Sequence, residues 1–372
     1  MIFTIITQVP HIKFENNYFS YEPYIREMKI WEKYITKLVI IAPLCNEKIQ
    51  AIHDKYNHVN IEFIELKSFN FKTPLASLKS IYIMFYNFIK IVFNINNTDH
   101  LHLRCPGNIG LLASIAQIFF PKKNKTVKYA GNWVDNKKQP LSYKFQKYIL
   151  NNTFFTKNCN VLVYGERKKS SKNIVPFFTA TYLESDKIKS TPRTLSNAIK
   201  FIFVGTLTSG KRPMYAIEII KKLLEKSYNV SLHIYGNGIE KEKLESFCRH
   251  NNLENHIFFE GNQTQEILKI AYQESHFLIL PSKSEGWPKV VAEAMFWSCL
   301  PIATRVSCIP NILDNENRGI LLDLEIEKDA LKIIELIKNQ ELYNYKANLA
   351  QIWSRKYTLN YFELEIKLLL QQ

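Results

Sequence analysis

The sequence predicts an α/β protein built as two Rossmann-like, doubly wound domains facing a cleft. Three observations carry that prediction. Apolar strand-like runs alternate with helix-length segments along all 372 residues, which is the pattern of parallel sheets with crossover helices. That length exceeds what one ordinary core accommodates and suits two domains. A polar stretch punctuated by Pro192, SDKIKSTPRTLSNA at 185–198, separates the two series of strands. Because ligands bind beyond the carboxyl ends of strands in open parallel sheets, two such sheets imply a binding cleft.

The first series of runs is FTIITQV, KLVIIAPL, IEFIEL, HLHLR, TVKYAG and NVLVYG; the second is KFIFVG, VSLHIYG, HIFFEG, HFLILPS, LPIAT and GILLD. Segments of helical length and pattern fall at 213–227, 240–252 and 264–275, and YTLNYFELEIKLLLQQ at 357–372 reads as a C-terminal helix. The expected domains are therefore 1–190 and 197–356, followed by the helix 357–372. MIFTIITQVPHIKF has no basic n-region or small-residue cleavage site and reads as a first strand. The apolar stretch 80–95 is interrupted by Asn87 and Lys90 and is shorter than a bilayer crossing requires.

Hydrophobic residues make up 46% of the chain, enough to fill two cores and to argue against disorder. The six cysteines show no CxxC pair and no disulfide-scaffold density, so they read as reduced core thiols of a cytoplasmic protein. Net charge is +15, with 27 Lys and Arg against 13 Asp and Glu in residues 1–190, and 22 against 21 in the remainder. Segment 121–172 alone holds 13 basic residues and two acids, Asp135 and Glu166. Such a stripe suits a polyanion or an anionic membrane surface, and equally a lysine-rich solvated face.

The chemistry concentrates in the second half. After the strand HFLILPS comes the loop SKSEG, with Pro288 placed to open a helix whose unpaired N–H groups form an anion site. Glu285 stands at the mouth of that loop, and Gly286 allows close approach of a ligand to backbone. Glu293 lies within the helix, flanked by apolar residues on both sides. A buried carboxylate requires dedicated donors; the vicinal hydroxyls of a ribose are one set, and a buried Lys or Arg is the structural alternative. FVGTLTSGKRP places Gly205 and Thr206 at a strand end and Lys211 and Arg212 at a helix start, where cations meet a diphosphate. LHIYGNG ends another strand with Gly236 and Gly238, which let a flat ring or a ribose lie against backbone.

From Phe201 to roughly Asp323, these segments resemble in order the donor domain of retaining glycosyltransferases of family 4, which have the GT-B architecture. The pair Glu285 and Glu293, spaced as E-x7-E, is the most specific element. The resemblance implies that Glu293 binds the ribose of a nucleotide sugar, that Glu285 and the Gly286 backbone hold sugar hydroxyls beside Trp287, Pro288 and Lys289, and that Lys211 neutralises the diphosphate. It also implies that helix 357–372 crosses back to the first domain. Two positions depart from the family pattern: Thr206 stands where many members have Arg, and Ser298 follows EAM-FW where a Gly is usual.

The likeness in the first half is weaker, since VPHIKFENNYFSYEPYIREM contains no glycine where a glycine-rich loop is common. Arg104 falls in the register of a strand end that often presents a catalytic-site histidine, with His102 two residues earlier on the same face. With Asn108, and with Asn132 and Trp133 after the strand ending KYAG, these residues are the expected acceptor side. The expected function is a retaining glycosyltransferase, independent of metal and cofactor. Glu285, Lys211 and Arg104 would act on a nucleoside diphosphate sugar and a glycan or polyprenyl-diphosphate-linked acceptor, in surface-polysaccharide assembly at the inner membrane face. A nucleotide-sugar 2-epimerase of the same architecture is the nearest alternative; a nucleic-acid-binding protein is disfavoured, because the basic stripe lacks a stacking platform.

Overall fold

A computed structural model describes all residues except 51, 70–73, 134–138, 166–170, 190–192, 197 and 372. Pro192 and, in the basic stripe, Asp135, Lys137, Lys138, Glu166, Arg167, Lys168 and Lys169 lie outside the described residues. The chain forms two compact units, Met1–Phe178 with Phe362–Gln372, and Thr179–Tyr361.

The first unit begins with β1 (Ile2–Ile6), a hairpin of β2 (Ile12–Phe14) and β3 (Asn17–Tyr21), α1 (Glu22–Glu32), β4 (Lys37–Pro43), β5 (His53–Lys55) and β6 (Ile61–Leu66). It continues with α2 (Pro74–Ile95), β7 (His100–Cys105), α3 (Asn108–Ala116), β8 (Asn124–Tyr129), α4 (Leu141–Asn151), β9 (Cys159–Tyr164) and β10 (Ile174–Phe177). Seven of these strands make one sheet in the order β10-β9-β8-β7-β1-β4-β6, and the pairs are parallel. Because helices cover both sides of a parallel sheet, its strands read as continuous apolar runs. One sheet face, including Ile6, Leu101, Leu103, Val127 and Val161, packs with Ile91, Ile109, Leu112 and Leu150 of the helices that cross it.

A departure from the all-parallel expectation is the antiparallel sheet β2-β3-β5. Its hairpin turns at Glu15-Asn16, with Glu15 in the left-handed region at φ 52°. A sequence with Glu rather than Gly there gives no turn signal. Asn87, expected to interrupt an apolar helix, is fully buried and closes two hydrogen bonds with the backbone of Lys67, at 3.1 and 2.8 Å.

The second unit contains β11 (Ile199–Val204), α5 (Pro213–Glu225), β12 (Val230–Tyr235), α6 (Lys241–His250), β13 (Ile257–Gly261), α7 (Gln265–Glu274) and β14 (Phe277–Leu280). It ends with α8 (Lys289–Phe296), β15 (Leu300–Thr304), α9 (Ile309–Ile312), β16 (Ile320–Leu322), α10 (Ile326–Ile337), α11 (Gln340–Ser354) and the start of α12 (Leu359–Gln371). Its parallel sheet runs β13-β12-β11-β14-β15-β16, so the order reverses between β11 and β14, where ligands of such sheets bind.

Residues 179–189 belong to the second unit rather than to the expected domain 1–190. The reason is packing: Tyr182 meets Phe296 and Trp297 at centroid distances of 4.8 and 5.1 Å, and Thr181 bonds Glu293. From Phe362 onward, α12 is part of the first unit, where Phe362 packs on Phe177 and Phe178.

Candidate functional site

Three loops leave the carboxyl ends of the adjacent strands β12, β11 and β14 and are tied to each other by backbone. The Leu207 N–H donates to Asn237 O at 3.0 Å, Glu240 N–H to Leu207 O at 3.1 Å, and Lys283 N–H to Gly210 O at 2.8 Å. Arg212, a left-handed residue at φ 52° that caps α5, donates from its guanidinium to Pro281 O at 3.3 Å. Gly236 has φ +143°, and a Cβ there would lie 2.0 Å from Gly205 O. The glycines therefore serve close packing of loop backbone on loop backbone, and a Cβ on Gly238 would likewise lie 2.4 Å from Leu207 O. At both positions neighbouring backbone occupies the space that a side chain would need.

Onto this frame the loops bring two of the expected groups together. Lys211 Nζ donates to Glu285 Oε1 at 2.6 Å, with the glutamate side chain 9% exposed and the lysine 30%. The pair joins the loop after β11 to the loop after β14. Thr206 is exposed, and Gly286 offers its carbonyl to Ser307 Oγ at 3.2 Å. Pro288 sits one residue before the first helical position of α8 as its cap. Trp287 does not stand open: its indole stacks on Trp353 at 6.1 Å and meets Tyr357 edge-on at 5.7 Å.

Glu293 has its dedicated donors, and they are hydroxyls rather than a Lys or Arg. Thr181 Oγ1 donates to Oε1 at 2.7 Å and Tyr272 OH to Oε2 at 3.1 Å. Each carboxylate oxygen keeps a further lone pair, and the two hydroxyls fix its plane. Burial first, then the Glu293 charge, pushes the Tyr272 phenol well above its ordinary value, so it remains a donor. Glu293 also lines a small pocket with Lys289, Thr181, Ser354 and Tyr357. Thr181 and Tyr272 had no signal in the sequence, since they lie 112 and 21 residues away from Glu293.

The expected acceptor residues are distributed differently. His102 is fully buried, bonded through Nδ1 to Thr126 Oγ1 at 2.8 Å and packed on Trp31 and Phe3 at 4.8 and 5.7 Å. Burial, with the neighbouring positive charges, holds its pKa well below the ordinary value. The acceptor-binding expectation for His102 is corrected: it is a neutral core histidine. Arg104 shares that face, as the register predicts, but α1 covers it. Its guanidinium lies 2.9 Å from Glu27 and 4.9 Å from the Tyr24 ring, and Lys128 Nζ lies 2.8 Å from the other Glu27 oxygen. Burial works to raise the Glu27 carboxyl, and Lys128 with Arg104 outweighs it, leaving the group well below the usual carboxylate range. Arg104 is thus first a partner of Glu27, with 16% of its side chain exposed. Asn108 is the first residue of α3 and half-buried. Asn132 accepts through its backbone carbonyl from Gln139 at 2.9 Å, and Trp133 packs edge-on against Tyr129 at 4.8 Å.

The basic stripe is not uniformly solvated. Lys125, Lys128 and Lys147 are buried, with Lys125 donating to Phe120 O and Lys147 to Trp133 O, each at 2.8 Å.

Comparison with known proteins agrees with the fold and locates the likeness. An uncharacterized glycosyltransferase of Methanocaldococcus jannaschii is 30% identical over 158 residues, 42% of this chain and 43% of that protein. The poly(ribitol-phosphate) alpha-N-acetylglucosaminyltransferase of Staphylococcus aureus is 25% identical over 203 residues, 54% of this chain and 40% of that protein. The chain spans less than half the length of these two relatives. HepE from Anabaena, in a crystal structure in complex with UDP, superposes with a TM-score of 0.69 at 14% identity, over 100% of this chain and 99% of that one. That likeness is one of fold, and with the two parallel Rossmann-like sheets it makes the fold GT-B. Within the Thr179–Tyr361 unit, residues 184–353 match the family model described as glycosyl transferases group 1.

Proposed function

We propose that this chain is a retaining glycosyltransferase of the family 4 type, taking its sugar from a nucleoside diphosphate donor bound by the Thr179–Tyr361 unit. The observation that carries the reading is the Lys211–Glu285 pair, held at 2.6 Å by three loops at the reversal point of a parallel sheet. It is supported by the group 1 match over the same residues. Lys211 is the ammonium placed for the diphosphate, and Arg212 lies next to it in the same loop. As the bond from the sugar to the diphosphate breaks, negative charge grows on the departing phosphate, and a fixed cation stabilises that state more than the bound donor. This route draws its charge from Lys211 and requires no metal.

Glu285 holds Lys211 in place before the donor arrives and offers its remaining acceptor sites to sugar hydroxyls. Glu293, its plane set by Thr181 and Tyr272, presents its spare lone pairs to the vicinal hydroxyls of the ribose. The acceptor is a glycan or a lipid-linked intermediate of surface-polysaccharide assembly. Its anionic character follows from the excess of basic residues in 1–190, and the relative from Staphylococcus aureus is named for transfer to poly(ribitol-phosphate).

The test is turnover of UDP-glucose, UDP-N-acetylglucosamine and GDP-mannose with poly(ribitol phosphate) and with neutral glycans, following nucleoside diphosphate release and product anomer by proton NMR. The reading expects transfer with an α-linked product from one of these α-linked donors, reduced at least tenfold in Lys211→Met. A β-linked product would contradict retention, and full activity in Lys211→Met would remove the proposed role of the ammonium.

A further inference from the structure

The three helices on one side of the first unit's sheet have a composition unlike ordinary solvent-facing helices. α2 packs on α3 and α3 on α4. None of the three contains Asp or Glu; their charged residues are Lys79, Lys90, Lys144 and Lys147, of which Lys147 is buried, while Lys144 is exposed and Lys90 partly so. α3, NIGLLASIA, has no charged residue at all. On α2 the large residues Ile81, Phe85, Ile89 and Phe93 recur every fourth position, and they are 45%, 60%, 53% and 74% exposed. Asn87 and Ile91 point instead to the core. The helix is therefore apolar on both sides.

The same pattern continues across the layer. Phe119, just past α3, is 66% exposed and meets Phe88 edge-on at 6.4 Å. On α4, Leu141, Phe145 and Tyr148 are all more than half exposed, with Lys144 between them. Beyond it, Lys157 lies 5.3 Å over the exposed ring of Phe154. Exposed large apolar residues are ordinary when single; several on adjacent helices mark a docking surface.

We propose that this outward face of α2, α3 and α4 docks on an anionic lipid bilayer, lying in the headgroup region with its phenylalanines in the acyl boundary. Charge complementarity selects that occupant. Aromatic and aliphatic side chains accompanied only by lysines suit an interface whose phosphates are negative, and lysine stems extend along apolar surface while their ammonium groups stay at the headgroups. A second copy of the same face would set lysine against lysine with no carboxylate between them, which disfavours a two-fold dimer. Among the described residues no helix is long and apolar enough to cross a membrane, so the face lies on the bilayer. This inference is independent of the transferase reading.

The experiment is co-sedimentation of the full chain with vesicles of phosphatidylcholine alone and of phosphatidylcholine with 30% phosphatidylglycerol, at low and high salt. Phe85→Ser with Phe93→Ser removes two exposed rings, and Lys90→Glu with Lys144→Glu reverses two charges. The proposal expects binding to the anionic vesicles that weakens with salt, and at least a tenfold loss in each double variant while the melting temperature stays that of wild type. Two results would overturn it: absence of binding to anionic vesicles, or unchanged binding in both double variants. A concentration-dependent dimer, abolished by Phe85→Ser with Phe93→Ser and accompanied by no vesicle binding, would assign the face to a second copy instead.

Discussion

Replacing Glu27 by Gln keeps the shape and hydrogen-bonding reach of the side chain and removes one charge from a buried cluster of three. Glu27 and Lys128 are 6% and 3% exposed and 2.8 Å apart, and Arg104 is 2.9 Å away on the other oxygen. At an effective dielectric constant of about 20, the Lys128 contact alone is on the order of 6 kcal/mol of Coulomb energy. Desolvation of both ions offsets part of it, and breaking a buried pair from one side costs about 3–5 kcal/mol. Glu27→Gln is expected to lose that amount at pH 7 in urea denaturation followed by fluorescence and circular dichroism. That is a large share of the 5–15 kcal/mol typical of a domain.

The same cluster predicts a pH signature and a rescue. Glu27 has its folded pKa depressed, so its stabilisation is complete above the ordinary carboxylate range and is lost as pH falls through the folded value. The gap between wild type and Glu27→Gln should therefore narrow below about pH 4.5. Adding Lys128→Met to Glu27→Gln should recover about half of the loss. The methionine would occupy a site ringed by Phe362, Phe177 and Tyr164, all within 6 Å of the lysine nitrogen. A Glu27→Gln loss under about 1 kcal/mol, or a double variant no more stable than the single, would show that Glu27 does not compensate the buried charges of Lys128 and Arg104.

Further outcomes follow from other sites. Ser298 ends α8 at φ 58°, where glycine is favoured, so Ser298→Gly should raise stability by about 1 kcal/mol in the same denaturation assay. His11 and His100 are held at about 4, chiefly by burial. Their folded pKa lies below the unfolded 6.5, so the unfolded chain binds more protons between those values and stability falls as pH falls. From pH 7.5 to 5 the loss should be about 2 kcal/mol for each histidine, read as a lower urea midpoint. Lys211→Met should weaken nucleoside diphosphate binding by roughly 10–100-fold in calorimetry, the worth of a charge-assisted hydrogen bond.

What the sequence conveyed depended on range. Strands and helices of the second unit were legible because each is a local apolar period between glycine and proline signals; α5 begins at Pro213 and β15 spans LPIAT as read. That the loops bearing Lys211 and Glu285 converge was legible because both leave carboxyl ends of strands in one parallel sheet; the ion pair between them was not. Arg104 and His102 were placed on the right strand, yet a strand buried on both faces gives no sign of which face a helix covers. Glu27, the partner of Arg104 and Lys128, is 77 residues from the first and 101 from the second. The lysines 125, 128 and 147 looked like part of a solvated stripe for the same reason: their carbonyl and carboxylate partners are set by tertiary packing.

The proposed function requires that the Thr179–Tyr361 unit bind a nucleoside diphosphate through Lys211, Glu285 and Glu293. Thermal unfolding with UDP, GDP, ADP and CMP, in wild type and Glu293→Ala, tests it most directly. At about 100 times its dissociation constant, one diphosphate should add about 2.7 kcal/mol to the wild type and far less to the variant. The absence of stabilisation by any of the nucleotides, or equal stabilisation of Glu293→Ala, would contradict the account.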